Sequence, residues 1–103
     1  MKTFEELSAL VVQWAEDRGI LKNSTPQSQL LKCVSEVGEL ADATIKNHSD
    51  EIADGIGDTI VTLIIVAQMQ GLDATECLAL AYDAIKDRKG WLSPSGAFVK
   101  EAP

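Results

Sequence analysis

An all-α fold, a four-helix bundle-like domain with a short C-terminal hairpin or extended tail and a tendency to self-associate, follows from three features of this sequence. Apolar residues recur at helical period through four segments. Capping residues open these segments, and glycines or a short polar break close them. The connections between them are only a few residues long, which favours a bundle.

Thr3 and Glu6 have capping-box spacing, and Phe4, Leu7, Leu10, Val11 and Trp14 follow at helical period. The first helix should therefore run to about Arg18 and stop at Gly19. I-L-K-N-S-T-P reads as a loop that ends with Ser24 or Thr25 as N-cap and Pro26 in the first turn of the next helix. That second helix should reach about Lys46, with Leu30, Val34, Val37 and Ala41 as its inner stripe. N-H-S-D breaks the chain briefly, and Ser49 or Asp50 caps a third helix running to about Gln70. Its second half is apolar nearly all round and should be buried on most sides. Gly71 ends it, and Asp73 with Glu76 starts a fourth helix that reaches about Arg88 and closes at Gly90. In the tail, apolar pairs on either side of S-P-S-G can form a small hairpin.

A chain of 103 residues has room for one domain, here 1–103, with a modest core. Burying an evenly apolar helix in so small a domain calls for self-association, as a homodimer or homotetramer, with Ile60, Leu63, Ile64 and Ala67 at the seam. The net charge of −7 argues against a nucleic-acid polymer or an anionic membrane as partner. The apolar run Ile60–Ala67 is too short to span a bilayer. M-K-T-F-E-E-L carries acids where a signal peptide needs an apolar core, so a cytoplasmic location is expected. Cys33 and Cys77 sit in apolar helical patterns and read as buried thiols rather than as a disulfide or zinc site.

Five carboxylates crowd two short stretches: Glu36 and Glu39 in S-E-V-G-E-L, then Glu51, Asp54 and Asp58 in E-I-A-D-G-I-G-D. On a helix each set falls within roughly a 60° arc of one face. Like charges at such spacing destabilise a helix by a few tenths of a kcal/mol per pair, and a hard divalent cation removes that repulsion. A solvated acidic face is the plain alternative in a chain with 16 acids and 9 bases. The strongly apolar segments beside both acidic runs favour the metal site.

Carboxylates without histidine select Mg²⁺, with Mn²⁺ as a substitute, over zinc or iron. A di-iron bundle needs Glu-x-x-His, and His48 follows no glutamate at that spacing. Magnesium in a carboxylate cage commonly meets its substrate through phosphate oxygens, which points to a phosphoanhydride.

These residues also carry a family resemblance. E-V-G-E-L-A, followed by an acidic E-x-x-D-type segment and a long apolar helix, resembles the MazG-like all-α nucleoside triphosphate pyrophosphohydrolases over nearly the whole chain. W-A-E-D-R-G-I before T-P-Q-S-Q-L-L-K, and A-Y-D-A-I-K-D-R-K-G later, are similar to the short phage-type and bacterial members. The family pattern is Glu-x-x-Glu, a spacer, then Glu-x-x-Asp, binding Mg²⁺. Glu36 and Glu39 match its first half. Aligned by the apolar helix, Asp58 takes the aspartate position and Gly55 stands where the glutamate belongs. Aligned by letters, Glu51 and Asp54 form the pair. One helical face presents all three, so all are candidate ligands. The resemblance implies hydrolysis of (deoxy)nucleoside triphosphates to the monophosphate and pyrophosphate, in nucleotide-pool control or house-cleaning. Glu36 and Glu39 are the catalytic candidates, with Glu39 in reach of the proton-accepting role.

Candidate substrate-binding residues each have a bland reading beside the functional one. Lys32 can reach a phosphate or pair with Glu36. Lys86, Arg88 and Lys89 can contact phosphate or compensate a helix C-terminus. Trp14 can stack on a base, although its apolar stripe favours core packing. Asn23, Gln27 and Gln29 can read base edges or serve ordinary loop and cap roles, and Tyr82 and Trp91 read as core or interface. The competing function is a non-catalytic acidic helical interaction module.

Overall fold

Thr3 opens the first helix in the computed structural model, which describes residues 1–102. Its hydroxyl accepts the Glu6 amide while the Glu6 carboxylate accepts the Thr3 amide, so the capping box of α1 (Phe4–Asp17) is complete. Those Thr3 bonds favour the charged form and hold the Glu6 carboxyl below its ordinary pKa. Gly19 then turns the chain at φ 72°. Its carbonyl accepts both the amide and the side-chain Nδ2 of Asn23, each at 3.0 Å. One extra helical turn results, α2 (Ile20–Asn23), where a loop was expected.

Thr25 is the N-cap of α3 (Pro26–Lys46), accepting the Ser28 amide at 3.0 Å, and Pro26 occupies the first turn. Asn47 ends α3 in the left-handed region at φ 56°. His48 flanks the start of α4 (Ser49–Met69) without a side-chain cap, so this helix begins slightly ahead of the expected Ser49 or Asp50 cap. Asp73 caps α5 (Ala74–Ile85), which stops short of Arg88 because residues 86–89 turn toward the tail. The tail is a hairpin: β1 (Gly90–Leu92) pairs antiparallel with β2 (Phe98–Lys100), with Trp91 opposite Val99.

α3 and α4 form the principal pair, and among the described residues α3 packs against no other element. α1 lies on α4, and α5 touches both α1 and α4. The radius of gyration is 16.1 Å, against about 13 Å for a compact chain of this length. The core is correspondingly thin: Ala15, Cys33, Ala43, Ile64 and Ile65.

Three packing expectations are corrected by this arrangement. The inner stripe of α3 is Gln29, Cys33, Glu36, Leu40 and Ala43. The expected stripe of Leu30, Val34, Val37 and Ala41, one position away, faces outward because only one helix packs on α3. The second half of α4 is buried only on the sides facing its neighbours: Ile64 and Ile65 are inside, whereas Leu63 is 47% exposed. Trp14 is 43% exposed rather than in the core, and Tyr82 and Trp91, expected in the core or at an interface, are not in the core of the single chain. By length and composition α4 could cross a bilayer, but its first half carries Asp50, Glu51, Asp54 and Asp58.

Candidate functional site

The two-residue break at Asn47–His48 folds α4 back along α3 and brings the two acidic stretches face to face. Gly55 sets how closely they meet. A Cβ there would lie 3.1 Å from Leu40 Cβ and 3.3 Å from Leu40 Cα, a tight contact that would push the helices apart by a few tenths of an ångström. Beside that contact lies a cleft of about 310 Å³ lined by Glu36, Glu39, Asp42, Glu51, Asp54, Gly55 and Asp58.

All five carboxylates read from the sequence therefore reach one cleft, together with Asp42, which that reading missed. The signal was present, since Glu36, Glu39 and Asp42 continue the same three-residue spacing. Three of the six acids have partners. Glu36, its side chain only 15% exposed, has Lys32 Nζ at 3.8 Å. Asp42 holds Lys46 Nζ at 2.9 Å, and this hydrogen bond raises the lysine's pKa above its ordinary value. Glu51 lies 3.3 Å from His48 Nδ1. Glu39, Asp54 and Asp58 have no ion pair or side-chain hydrogen bond among the described residues.

The donor set is all oxygen and no cationic side chain lines the cleft, which suits a hard divalent ion. Among the described residues, no three His, Cys, Asp or Glu side chains already converge on one point at ligand distance. The carboxylates line a space instead of meeting in it.

Asp58 also borders a second groove, of about 420 Å³, whose other walls are Leu7, Leu10, Val11, Trp14 and Val61. The Arg18 guanidinium stands 4.8 Å from the Trp14 ring centroid, a cation–π contact that braces the indole. Trp14 is thus brought next to the acids, and Lys32 reaches them through Glu36. Lys86, Arg88 and Lys89 are not. Lys86 pairs with Asp83 at 3.3 Å, while Arg88 and Lys89 line a separate shallow cleft with Lys100 and Glu101. Asn23 and Gln29 are engaged locally, with Gly19 and Ser24 respectively, as loop residues would be.

Three kinds of comparison with known proteins each give a match. The MazG nucleotide pyrophosphohydrolase domain model matches residues 24–92, which covers the acidic cleft but not Trp14. An uncharacterised 18.2 kDa protein from the rep-hol intergenic region of Haemophilus phage HP1 is 40% identical over 74 residues, 72% of this chain. The chain spans only 45% of that relative's length. Among solved structures, the cyanophage S-2L MazG-like pyrophosphohydrolase bound to dGDP and three catalytic Mn²⁺ ions per active site superposes with a TM-score of 0.72. That similarity covers 99% of this chain and 100% of the other at 22% identity, and it shows a shared fold.

Proposed function

Because the chain belongs to the MazG nucleotide pyrophosphohydrolase domain family, we propose that it hydrolyses (deoxy)nucleoside triphosphates between the α and β phosphates, using Mg²⁺. One observation carries this reading: two helices direct six carboxylates into a single cleft with no cation among its walls. Such a cleft repels a polyphosphate unless divalent cations come between. The cyanophage neighbour, which holds a nucleotide and Mn²⁺, supports a divalent requirement, and the oxygen-only donor set supports Mg²⁺ as the ion used.

Glu36, Glu39, Glu51, Asp54 and Asp58 are the proposed ligands, with Asp42 at the rim engaged by Lys46. Glu39, Glu51 and Asp54 are exposed, which leaves their side chains free to rotate toward a shared ion. A bound divalent cation supplies neutralisation of the phosphates and a water of lowered pKa. Glu39, unpaired and exposed, would accept on its carboxylate the proton of the attacking water as the water oxygen bonds the α phosphorus. The bond from that phosphorus to the bridging oxygen breaks, and pyrophosphate leaves with the electron pair.

Glu36, largely shielded from solvent, lies next to Lys32. The groove floored by Trp14 receives the base, which places the phosphates toward Asp58. The basic residues Lys86, Arg88 and Lys89 take no part within one chain. Nucleotide-pool control or house-cleaning is the role that fits these products.

The test is a screen of the common ribo- and deoxynucleoside triphosphates with Mg²⁺ and with Mn²⁺. Equal amounts of monophosphate and pyrophosphate are expected from at least one substrate. Release of orthophosphate and a diphosphate would contradict the cleavage position. No turnover, with no change of thermal midpoint on adding either metal, would favour the non-catalytic interaction module instead.

A further inference from the structure

We propose that Lys46 binds the terminal phosphate of the substrate and so selects triphosphates over shorter nucleotides, an inference that rests on the phosphoanhydride reading of the acidic cleft. The register of the two helices gives that cleft two distinct ends. α4 folds back along α3 from the turn at Asn47–His48, and Gly55 lies against Leu40. Glu36 and Asp58 therefore stand near the end far from the turn, and Asp42 and Glu51 near the end beside it.

The Trp14 groove meets the cleft at Asp58. A base held in that groove puts the α phosphate beside Asp58 and sends the β and γ phosphates toward the turn. Asp58 and Glu51 are separated along α4 by about 10 Å of helix axis, which is room for a row of three phosphates.

Lys46 stands at the end that the γ phosphate reaches. Its Nζ lies 2.9 Å from Asp42 Oδ2, and its side chain is 55% exposed, so the ammonium sits on a flexible stem at the rim. The hydrogen bond and charge of Asp42, and then the charge of Glu51 on the facing helix, hold this ammonium above its ordinary pKa. Lys46 thus responds to acids on both walls of the cleft. Lys32 pairs with Glu36 at the opposite end, on the side of the base.

A plainer role exists for Lys46, since a lysine in the last turn compensates the helix dipole and Asp42–Lys46 is an ordinary i, i+4 pair. That role would be served equally well on any face of α3, whereas this pair stands on the face that lines the cleft. An exposed ion pair holds its members loosely. A phosphate, with more than one anionic oxygen, can draw Lys46 away from Asp42 without loss of pairing. A monophosphate anchored at Trp14 ends near Asp58 and leaves Lys46 on Asp42. A triphosphate reaches it.

Isothermal titration calorimetry in Mg²⁺ tests this, with the α,β-methylene analogues of the four deoxynucleoside triphosphates, each beside its monophosphate. For the base bound most tightly, the wild type should favour the analogue at least tenfold. Lys46→Met should lower affinity for the analogue about tenfold or more, as loss of a hydrogen bond between charged groups does, and leave the monophosphate unchanged. Lys46→Arg should keep most of the preference. Lys22→Met, at a lysine of α2 outside the cleft, should keep all of it. Helical circular dichroism should stay wild-type in each variant. Undiminished affinity of Lys46→Met for the analogue would overturn the inference, as would an equal loss for both nucleotides. No metal-dependent binding of any analogue by the wild type would remove the phosphoanhydride reading itself, and the role of Lys46 with it.

Discussion

Gly55 of α4 lies so close to Leu40 of α3 that a Cβ at position 55 would sit 3.1 Å from the Leu40 Cβ. This contact fixes the width of the acidic cleft, whose walls run along both helices beside it.

Gly55→Ala therefore sets two effects against each other. Alanine favours the helix by up to about 1 kcal/mol, while overpacking a helix contact costs roughly 1–3 kcal/mol. Overpacking should win, because the neighbouring atoms belong to the Leu40 Cβ and backbone rather than to a flexible tip. Thermal denaturation should show a lower midpoint. Gly55→Glu, which would complete the family's letters, should be worse still. A midpoint at or above wild type in Gly55→Glu would refute the close-approach account.

Glu36→Gln and Glu39→Gln should each cut Mg²⁺-dependent turnover by about 10²-fold or more while leaving helical content unchanged. Removing one charge from a repulsive cluster does not threaten the pair of helices that carries it. Steady-state kinetics beside far-ultraviolet circular dichroism checks both halves, and wild-type turnover in either variant would remove that residue from the site.

Within α4, Asp58→Asn should weaken the Mg²⁺ dependence of activity more than Asp54→Asn or Glu51→Gln. Asp58 borders both the acidic cleft and the Trp14 groove, whereas Glu51 lies beside His48. Asp42→Asn should have the mildest effect, since Lys46 already occupies that carboxylate. Mg²⁺ titrations of activity rank the four, and an unchanged metal dependence in Asp58→Asn would reverse the order.

Trp14→Ala should raise KM by about 10- to 100-fold, in line with roughly 1–3 kcal/mol for base–aromatic stacking, and leave kcat nearly intact. The indole is exposed, braced by Arg18 and adjacent to Asp58. A loss of kcat at unchanged KM would mean that Trp14 acts on the chemistry or the packing rather than on the base.

The acidic cleft was legible because three- and four-residue spacings keep the acids of each helix on one face, and a short turn brings the two faces together. Asp42 continues the spacing of Glu36 and Glu39, but Lys46 four residues on makes it read as an ordinary helix-surface ion pair. Helix limits were legible from Thr3, Thr25, Asp73 and Pro26, whose side chains act locally. α2 was not, because it depends on both donors of Asn23 finding the Gly19 carbonyl. The inward face of α3 was misread by one position for a physical reason. Its outward stripe of Leu30, Val34 and Val37 is more apolar than the inward one, which includes Gln29 and Glu36. Periodicity reports that a face will be covered, not whether the same chain covers it.

Metal uptake by carboxylates from both helices is the central claim, and Mn²⁺ titration followed by electron paramagnetic resonance tests it most directly. The wild type should remove the free-ion signal saturably, with Mg²⁺ competing for the same site. Glu36→Gln on α3 and Asp58→Asn on α4 should each weaken uptake by about tenfold or more, corresponding to roughly 1.4 kcal/mol. Uptake unchanged in both variants would contradict a site shared between the two helices.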